Sequence, residues 1–145
     1  LKHTSMTLDK ILAISKKPGL YKLINPSRGG YIVESFLDQK RTFVKADKNL
    51  SLLNDISIYT LEGEISLADV FDKIYKYEKG KETSTSPNAS KDDLEEYLFS
   101  ILPNFDEDRV YPSDIKKLLS WYNLLLSSEV YVTAVKVDTP KDEEE

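Results

Sequence analysis

The sequence predicts an α+β fold, in which a small antiparallel β-barrel or strongly bent sheet with a covering helix precedes a helical hairpin. Short segments rich in Ile, Val, Tyr and Phe fill the first sixty residues, and two helix-length apolar stripes follow a small polar connection. With 145 residues and a hydrophobic fraction of 40%, the chain is long enough for one ordinary domain or two small ones.

Five short strands are predicted in the first sixty residues, separated by turn-forming pairs such as Pro18-Gly19, Asn25-Pro26 and Gly29-Gly30. Their spacing is typical of a small antiparallel barrel or a bent sheet. The predicted strands cover residues 10–14, 19–24, 31–36, 41–46 and 56–60.

A helix is predicted after these strands, because Ser66 is a favourable N-cap residue with Asp69 three positions later. The apolar residues that follow recur at helical spacing and form one stripe, which we expect to cover the barrel. Gly80 is a plausible stop for this helix. The small polar residues of 81–90 are typical of a flexible linker, so the first domain is placed at residues 8–80.

Two more helices are predicted in a second domain at residues 91–137. Ser90 begins the first with the same capping signature, and Pro103 ends it. The second follows Pro112, with Ser113 as its expected cap, and the two should pack as a hairpin. Residues 130–137 have β-type composition that suits a short strand, and the acidic tail 138–145 is predicted to be disordered.

Charge is divided unevenly along the chain. Residues 1–60 hold ten Lys/Arg and five Asp/Glu, whereas residues 61–145 hold ten Lys/Arg and twenty Asp/Glu. Two interpretations stay open: the polarity serves solubility or attraction between the halves, or the basic part meets an anionic partner.

One predicted strand carries the candidate binding site. Alternation along 41–46 places Arg41, Phe43 and Lys45 on one face, and an outward aromatic between two cations suits base stacking and phosphate contact. The alternative is that Phe43 packs under the following helix and the cations are only solvated. Lys22 and Arg28 complete the set of candidate binding residues.

The acids Asp106, Glu107 and Asp108 do not match a catalytic or metal site. A calcium loop that began at Asp106 would need acidic and glycine residues at positions where the chain has Val110 and Tyr111. The chain has no cysteine and one histidine, so zinc ligands and nucleophilic triads lack their usual residues. We expect no catalytic residues, no metal and no cofactor, with Arg109 paired to one of the acids.

The segments "KILAISKKPGLYKL", "GGYIVES", "DISIYT" and "LPNFDEDRVYPSDIKKLLSWYNLL" together resemble a two-domain bacterial family of domains of unknown function. The resemblance covers residues 8–127. It implies a small SH3-like β domain followed by a helical domain, and it carries over no catalytic residues.

The resulting prediction is a non-enzymatic protein-binding or adaptor module, and the alternative is RNA or DNA binding through the basic barrel. No run of apolar residues is long enough to span a membrane. Without a secretory signal or cysteine in the sequence, a cytoplasmic location is expected. The sequence leaves the oligomeric state open.

Overall fold

A computed structural model describes residues 8 and 10–128, and the chain in it divides between Ile56 and Ser57. We call the described residues up to Ile56 the β unit and those from Ser57 to Ser128 the helical unit. The mixed α+β class predicted from the sequence is confirmed.

The β unit is a five-stranded antiparallel sheet with the strand order β4-β3-β2-β1-β5. A 3₁₀ turn, Leu53–Asp55, follows the last strand. Its strands are β1 Ile11–Ile14, β2 Tyr21–Ser27, β3 Gly30–Ser35, β4 Arg41–Lys45 and β5 Leu50–Leu52.

Turn residues and a bulge shape this sheet. Gly29 has φ +77° in the tight turn between β2 and β3, a conformation that glycine adopts without steric cost. The register between β2 and β3 shifts between Leu23 and Asn25, and such an irregularity bends a strand and increases its twist. The buried apolar residues of the unit are Leu8, Ile11, Leu12, Leu20, Val33 and Leu53.

The fifth strand differs from the predicted one. In the structure β5 is the short segment Leu50–Leu52, which pairs with β1, whereas the predicted strand 56–60 belongs to the helical unit. Within the described residues β4 and β5 are the two ends of the strand order, and no pairing between them closes the sheet into a barrel.

The helical unit begins with a two-stranded hairpin and continues with three helices. Residue Phe105 forms an isolated bridge with Thr60, so the loop between the last two helices lies beside the hairpin. The elements are β6 Ser57–Thr60, β7 Gly63–Ser66, α1 Leu67–Tyr77, α2 Lys91–Ile101 and α3 Pro112–Leu126.

Local capping explains where these helices begin. Ser66 and Ser90 each accept a hydrogen bond at Oγ from the backbone N–H three residues on, at 3.2 Å, as predicted. The prediction of Ser113 as the cap of α3 is wrong. Pro112 occupies the first helical position, which its fixed φ suits, and the Asp114 carboxylate accepts from the Tyr111 N–H at 3.0 Å.

The predicted apolar stripes form the core of the helical unit. Each helix buries residues at the spacing of a single face, and α2 packs against α3 as the predicted hairpin. The buried stripe residues include Leu67, Val70, Phe71, Ile74, Leu94, Tyr97, Leu98, Ile101, Ile115, Leu118, Leu119, Tyr122 and Leu125.

Residues 81–90, the predicted linker, lie inside the helical unit and are hydrogen-bonded to its helices. The Thr83 N–H donates to Asn123 Oδ1 at 3.0 Å, and Asn123 Nδ2 donates back to Thr83 Oγ1 at 3.1 Å. The Tyr122 hydroxyl donates to the Lys81 carbonyl at 2.9 Å. The predicted strand at 130–137 and the tail at 138–145 lie outside the described residues. No described helix is both long and apolar enough for a transmembrane span.

Candidate functional site

Three of the five predicted binding residues lie on β4, a strand at one end of the sheet order. Arg41, Phe43 and Lys45 share one face of the strand, as alternation requires, and all three are exposed. Lys22 and Arg28 are also exposed, on β2 and in the turn after it. The structure thus leaves all five side chains accessible, and their role in binding stays a prediction.

Arg41 is already paired within the sheet. The register places it opposite Glu34, and Arg41 Nε lies 3.0 Å from Glu34 Oε1. Glu34 in turn lies opposite Lys22, so a carboxylate separates the two cations at this end of the face. The pair lowers the positive charge that an anionic ligand would meet there.

Phe43 rests against a glycine on the neighbouring strand. It lies opposite Ile32, and its Cζ is 2.9 Å from the position that a Cβ on Gly30 would occupy. The side chain is 45% exposed. An aromatic ring that covers a strand glycine stabilises the pairing of its strands, which is a structural reason for Phe43 on this surface.

The opposite side of the β unit contains a feature that the sequence analysis missed, an open groove of about 470 Å³. Its floor is apolar, with Leu12 buried and Leu23 and Tyr31 half-buried. Exposed Ala46 lies at its border. The residues that line the groove are Leu12, Leu23, Tyr31, Ala46, Asp47, Leu50, Ser51, Leu52, Asp55 and Ile56.

Two exposed carboxylates line the groove. Asp47 Oδ1 accepts from the Asn49 N–H at 2.9 Å and the Asp47 carbonyl accepts from the Leu50 N–H at 3.1 Å, so this residue shapes the turn into β5. Asp55 is the last residue of the 3₁₀ turn, which the Ile56 N–H closes by donating to the Leu53 carbonyl at 3.1 Å. Local turns therefore fix the backbone at both acids.

One sequence pattern could have indicated this groove, but it is too short to interpret alone. Leu50 and Leu52 alternate around Ser51 with a period of two, as residues of a half-buried strand do. Three residues do not distinguish a strand from a loop. The pairing of β5 with β1, which is 36 to 40 residues away in sequence, is what brings these leucines over the floor.

The acidic loop 106–108 has a structural role. Asp106 accepts from the Asp108 N–H at 3.0 Å and from Arg109 Nε at 3.2 Å, which confirms the predicted pairing of Arg109 with an acid. The Arg109 guanidinium also lies 4.1 Å from the centre of the Tyr59 ring. In the part of the chain that the structure describes, no group of His, Cys, Asp and Glu is arranged to hold a metal ion.

A partly buried polar cluster lies at the end of α1. Glu78 Oε2 accepts from the Tyr97 hydroxyl, from the Ser84 N–H at 2.8 Å and from Ser84 Oγ at 3.0 Å. Burial, and then the hydrogen bond to Glu78, raise the pKa of Tyr97 well above its ordinary value. Burial also raises the pKa of Tyr122, with the Glu78 charge as a smaller cause. These groups hold α1, α2 and the 81–84 segment together.

Two family models match this chain, and the boundary between their matches lies next to the boundary between the β unit and the helical unit. Residues 8–53 match a family model described as Domain of unknown function (DUF5606), and residues 56–125 match Domain of unknown function (DUF6852). The two matches meet at residues 54–55, next to the division after Ile56.

A solved structure is similar over most of the chain. It is a solution NMR structure of a protein from Bacteroides vulgatus, a structural genomics target, with 41% sequence identity and a TM-score of 0.71. The similarity covers 86% of this chain and 91% of that chain. No curated protein matches.

Proposed function

The chain belongs to the same family as the Bacteroides vulgatus protein, and we propose that it is a non-enzymatic module that binds other proteins through the groove of its β unit. The observation that carries the proposal is the groove itself. Its volume of about 470 Å³ and its apolar floor have the size and character of ligand-binding pockets in general.

An edge strand beside the groove supports binding of a polypeptide. β5 is the last strand in the sheet order and pairs with β1 along one side. Strand edges bind extended peptides by adding a strand, while side chains of the peptide fill neighbouring pockets. Leu50 and Leu52 line such a pocket directly beside this edge.

The strand order supports an SH3-like arrangement for the β unit. β2, β3 and β4 form a meander, and β1 pairs with both β2 and β5. The irregularity between Leu23 and Asn25 supplies a bend in the longest strand. We therefore propose an SH3-like arrangement for the β unit, together with the cytoplasmic location expected from the sequence.

The groove favours binding over catalysis. Its two carboxylates, Asp47 and Asp55, are both exposed. General acid–base catalysis by a carboxyl group needs a shielded environment that changes its proton affinity, and exposure to water works against this.

A pull-down from native cell extract with the full chain tests the proposal, with and without nuclease. Ala46→Arg places a long charged side chain at the exposed border of the groove, so it should abolish capture of the partner without unfolding the sheet. Phe43→Ala, on the other side, should capture the partner normally. Capture that Ala46→Arg leaves unchanged would rule out the groove as the binding site.

Nucleic-acid binding is the second candidate, because Phe43 is 45% exposed between two cations. Mixed single-stranded oligonucleotides at low salt would then bind the full chain, and the affinity would fall steeply as salt rises. Phe43→Ala and Lys45→Gln should weaken that binding, whereas Ala46→Arg should not. Loss of capture after nuclease treatment would favour this candidate over the first.

A further inference from the structure

We infer that the partner segment of the groove is an extended peptide whose central apolar side chains are flanked by lysine or arginine. This inference rests on the proposed function, because it names the chemistry of the partner that the same groove would bind. It follows from three features: the charge of the lining, the apolar floor and the position of β5.

The charge of the groove is opposite to that of its unit. Residues 8–56 hold nine Lys/Arg and five Asp/Glu, so a random surface patch on this unit would contain more cations than acids. The groove contains two acids, Asp47 and Asp55, and no lysine or arginine lines it. An anionic ligand would meet repulsion there, whereas a cationic one would find complementary charge.

The apolar floor of the groove favours a ligand that has apolar groups as well as cations. Leu23, Leu50 and Leu52 are half-buried and offer aliphatic surface, and covering this surface with apolar groups lowers the free energy. Lysine and arginine suit the border of such a floor, because their methylene stems lie along apolar surface while the charged ends reach toward water and acids. A segment with apolar residues in the middle and cations at its ends fits both parts.

The position of β5 selects a peptide rather than a small amine. All three residues of β5 line the groove, and the strand lies at the end of the sheet order. A peptide that enters the groove therefore lies beside backbone groups of an edge strand, which an extended chain can pair with and an amine cannot.

Fluorescence anisotropy with the full chain and three labelled peptides tests the inference. Each peptide has the same three central apolar residues, and its two ends carry lysine, glutamine or glutamate. We expect the lysine peptide to bind about five- to tenfold more tightly than the glutamine peptide at low salt, since exposed charge pairs contribute modestly and are screened by salt. The glutamate peptide should bind most weakly.

Variants that remove negative charges test whether Asp47 and Asp55 cause the preference for the lysine peptide. Asp47→Asn combined with Asp55→Asn should remove the preference for lysine, so that the lysine and glutamine peptides bind the double variant with similar affinities. Asp38→Asn is the control, because Asp38 also caps a turn through Oδ1, here to the Lys40 N–H at 3.0 Å, but lies outside the groove. This control should keep the full preference.

The outcomes separate this inference from the proposed function. Binding of the glutamine peptide that Ala46→Arg abolishes, with no preference for lysine, would overturn the inference and leave the groove as a protein-binding site. A preference that survives in the double variant would also overturn it. So would displacement of the lysine peptide by a simple alkylamine, or failure of all three peptides to bind. In that last case the pull-down with Ala46→Arg still decides the proposed function.

Discussion

Gly30 shows how one residue determines both the pairing of two strands and the surface above them. A Cβ at this position would lie 2.0 Å from the Val44 carbonyl oxygen and 2.9 Å from Phe43 Cζ. Neither distance is possible for real atoms, so only glycine allows the backbone of β4 and the Phe43 ring to approach this closely. The exposure of Phe43 therefore has a structural cause beside any binding role.

Gly30→Ala should lower the free energy of unfolding by about 3 kcal/mol, the upper part of the usual range for overpacking at a crowded site. Urea unfolding measures it. Gly29→Ala is the comparison, because a Cβ there meets nothing within 4 Å and carries only the cost of a positive φ, about 1 kcal/mol. An equal or larger loss at Gly29 would contradict the steric explanation.

Two buried tyrosines make the stability of the helical unit depend on pH in the alkaline range. The folded chain holds the protons of Tyr97 and Tyr122 above the pKa of 10.0 that tyrosine has when unfolded. The unfolded chain releases these protons more readily, so unfolding becomes more favourable as pH rises through 10 and beyond. The stabilisation is complete below that pH.

The free energy of unfolding should therefore fall above about pH 10, by at most about 1.4 kcal/mol per pH unit for each tyrosine. Tyr97→Phe should make this fall less steep, since phenylalanine has no proton to release, even though the loss of its hydrogen bond to Glu78 lowers stability at neutral pH. Urea unfolding at several pH values measures the slopes. Tyr21→Phe, in the β unit, is the control, and equal slopes for Tyr97→Phe and wild type would contradict the prediction.

At the scale of elements, the helices follow from local sequence. Ser66 and Ser90 cap α1 and α2 as expected, and the apolar residues at helical spacing are the ones that become buried. Helix bonds and caps join residues within four positions of each other, so a short stretch of sequence contains the information. The exception is the start of α3, where a proline at the first position moved the cap to Tyr111.

Removing one cap tests this local control. Ser90→Ala should cost about 1 kcal/mol, because the Asp93 N–H loses its acceptor. Ser100→Ala changes the same residue type within α2, where the hydroxyl donates to the Glu96 carbonyl and contributes little. Thermal unfolding of both variants measures the difference. A cost for Ser100→Ala as large as that for Ser90→Ala would contradict the capping role.

At the scale of the whole molecule, the chain divides at residue 56, next to the junction of its two family matches. The polar composition of 81–90 resembles a linker, but Thr83 exchanges two hydrogen bonds with Asn123, which is 40 positions away. The composition of a segment indicates how flexible it is when isolated, but it does not indicate which distant residues the segment will hydrogen-bond in the folded chain.

Asn123→Ala tests the role of these bonds. Limited proteolysis should cut wild-type protein slowly within 81–90 and cut the variant faster there, because both bonds to Thr83 are lost. Ser120→Ala, at an exposed position of α3, should behave like the wild type. Rapid cleavage of 81–90 in the wild type would show that the segment behaves as the predicted linker.

Some features of the candidate sites could be predicted from the sequence and others could not. Alternation along β4 was enough to predict that Arg41, Phe43 and Lys45 share one face, since side-chain direction in a strand depends only on sequence position. It left open whether that face is exposed, because the alternative placed Phe43 under the following helix. The Arg41–Glu34 pair and the contact of Phe43 with Gly30 could not be predicted, because both depend on the register between strands. The groove depends on the same kind of information.

The sequence by itself determined the α+β class, the three helices with their buried faces, and four of the five strands of the main sheet. Periodicity and turn residues are local, so these features need no knowledge of distant contacts. The tertiary structure decided that Leu50–Leu52 is the last strand of the sheet and pairs with β1, and that residues 81–90 pack against α3. It also decided that Asp47 and Asp55 line a groove with an apolar floor. Each of these joins residues far apart in sequence, and their pairing is selected by the free energy of the folded chain as a whole.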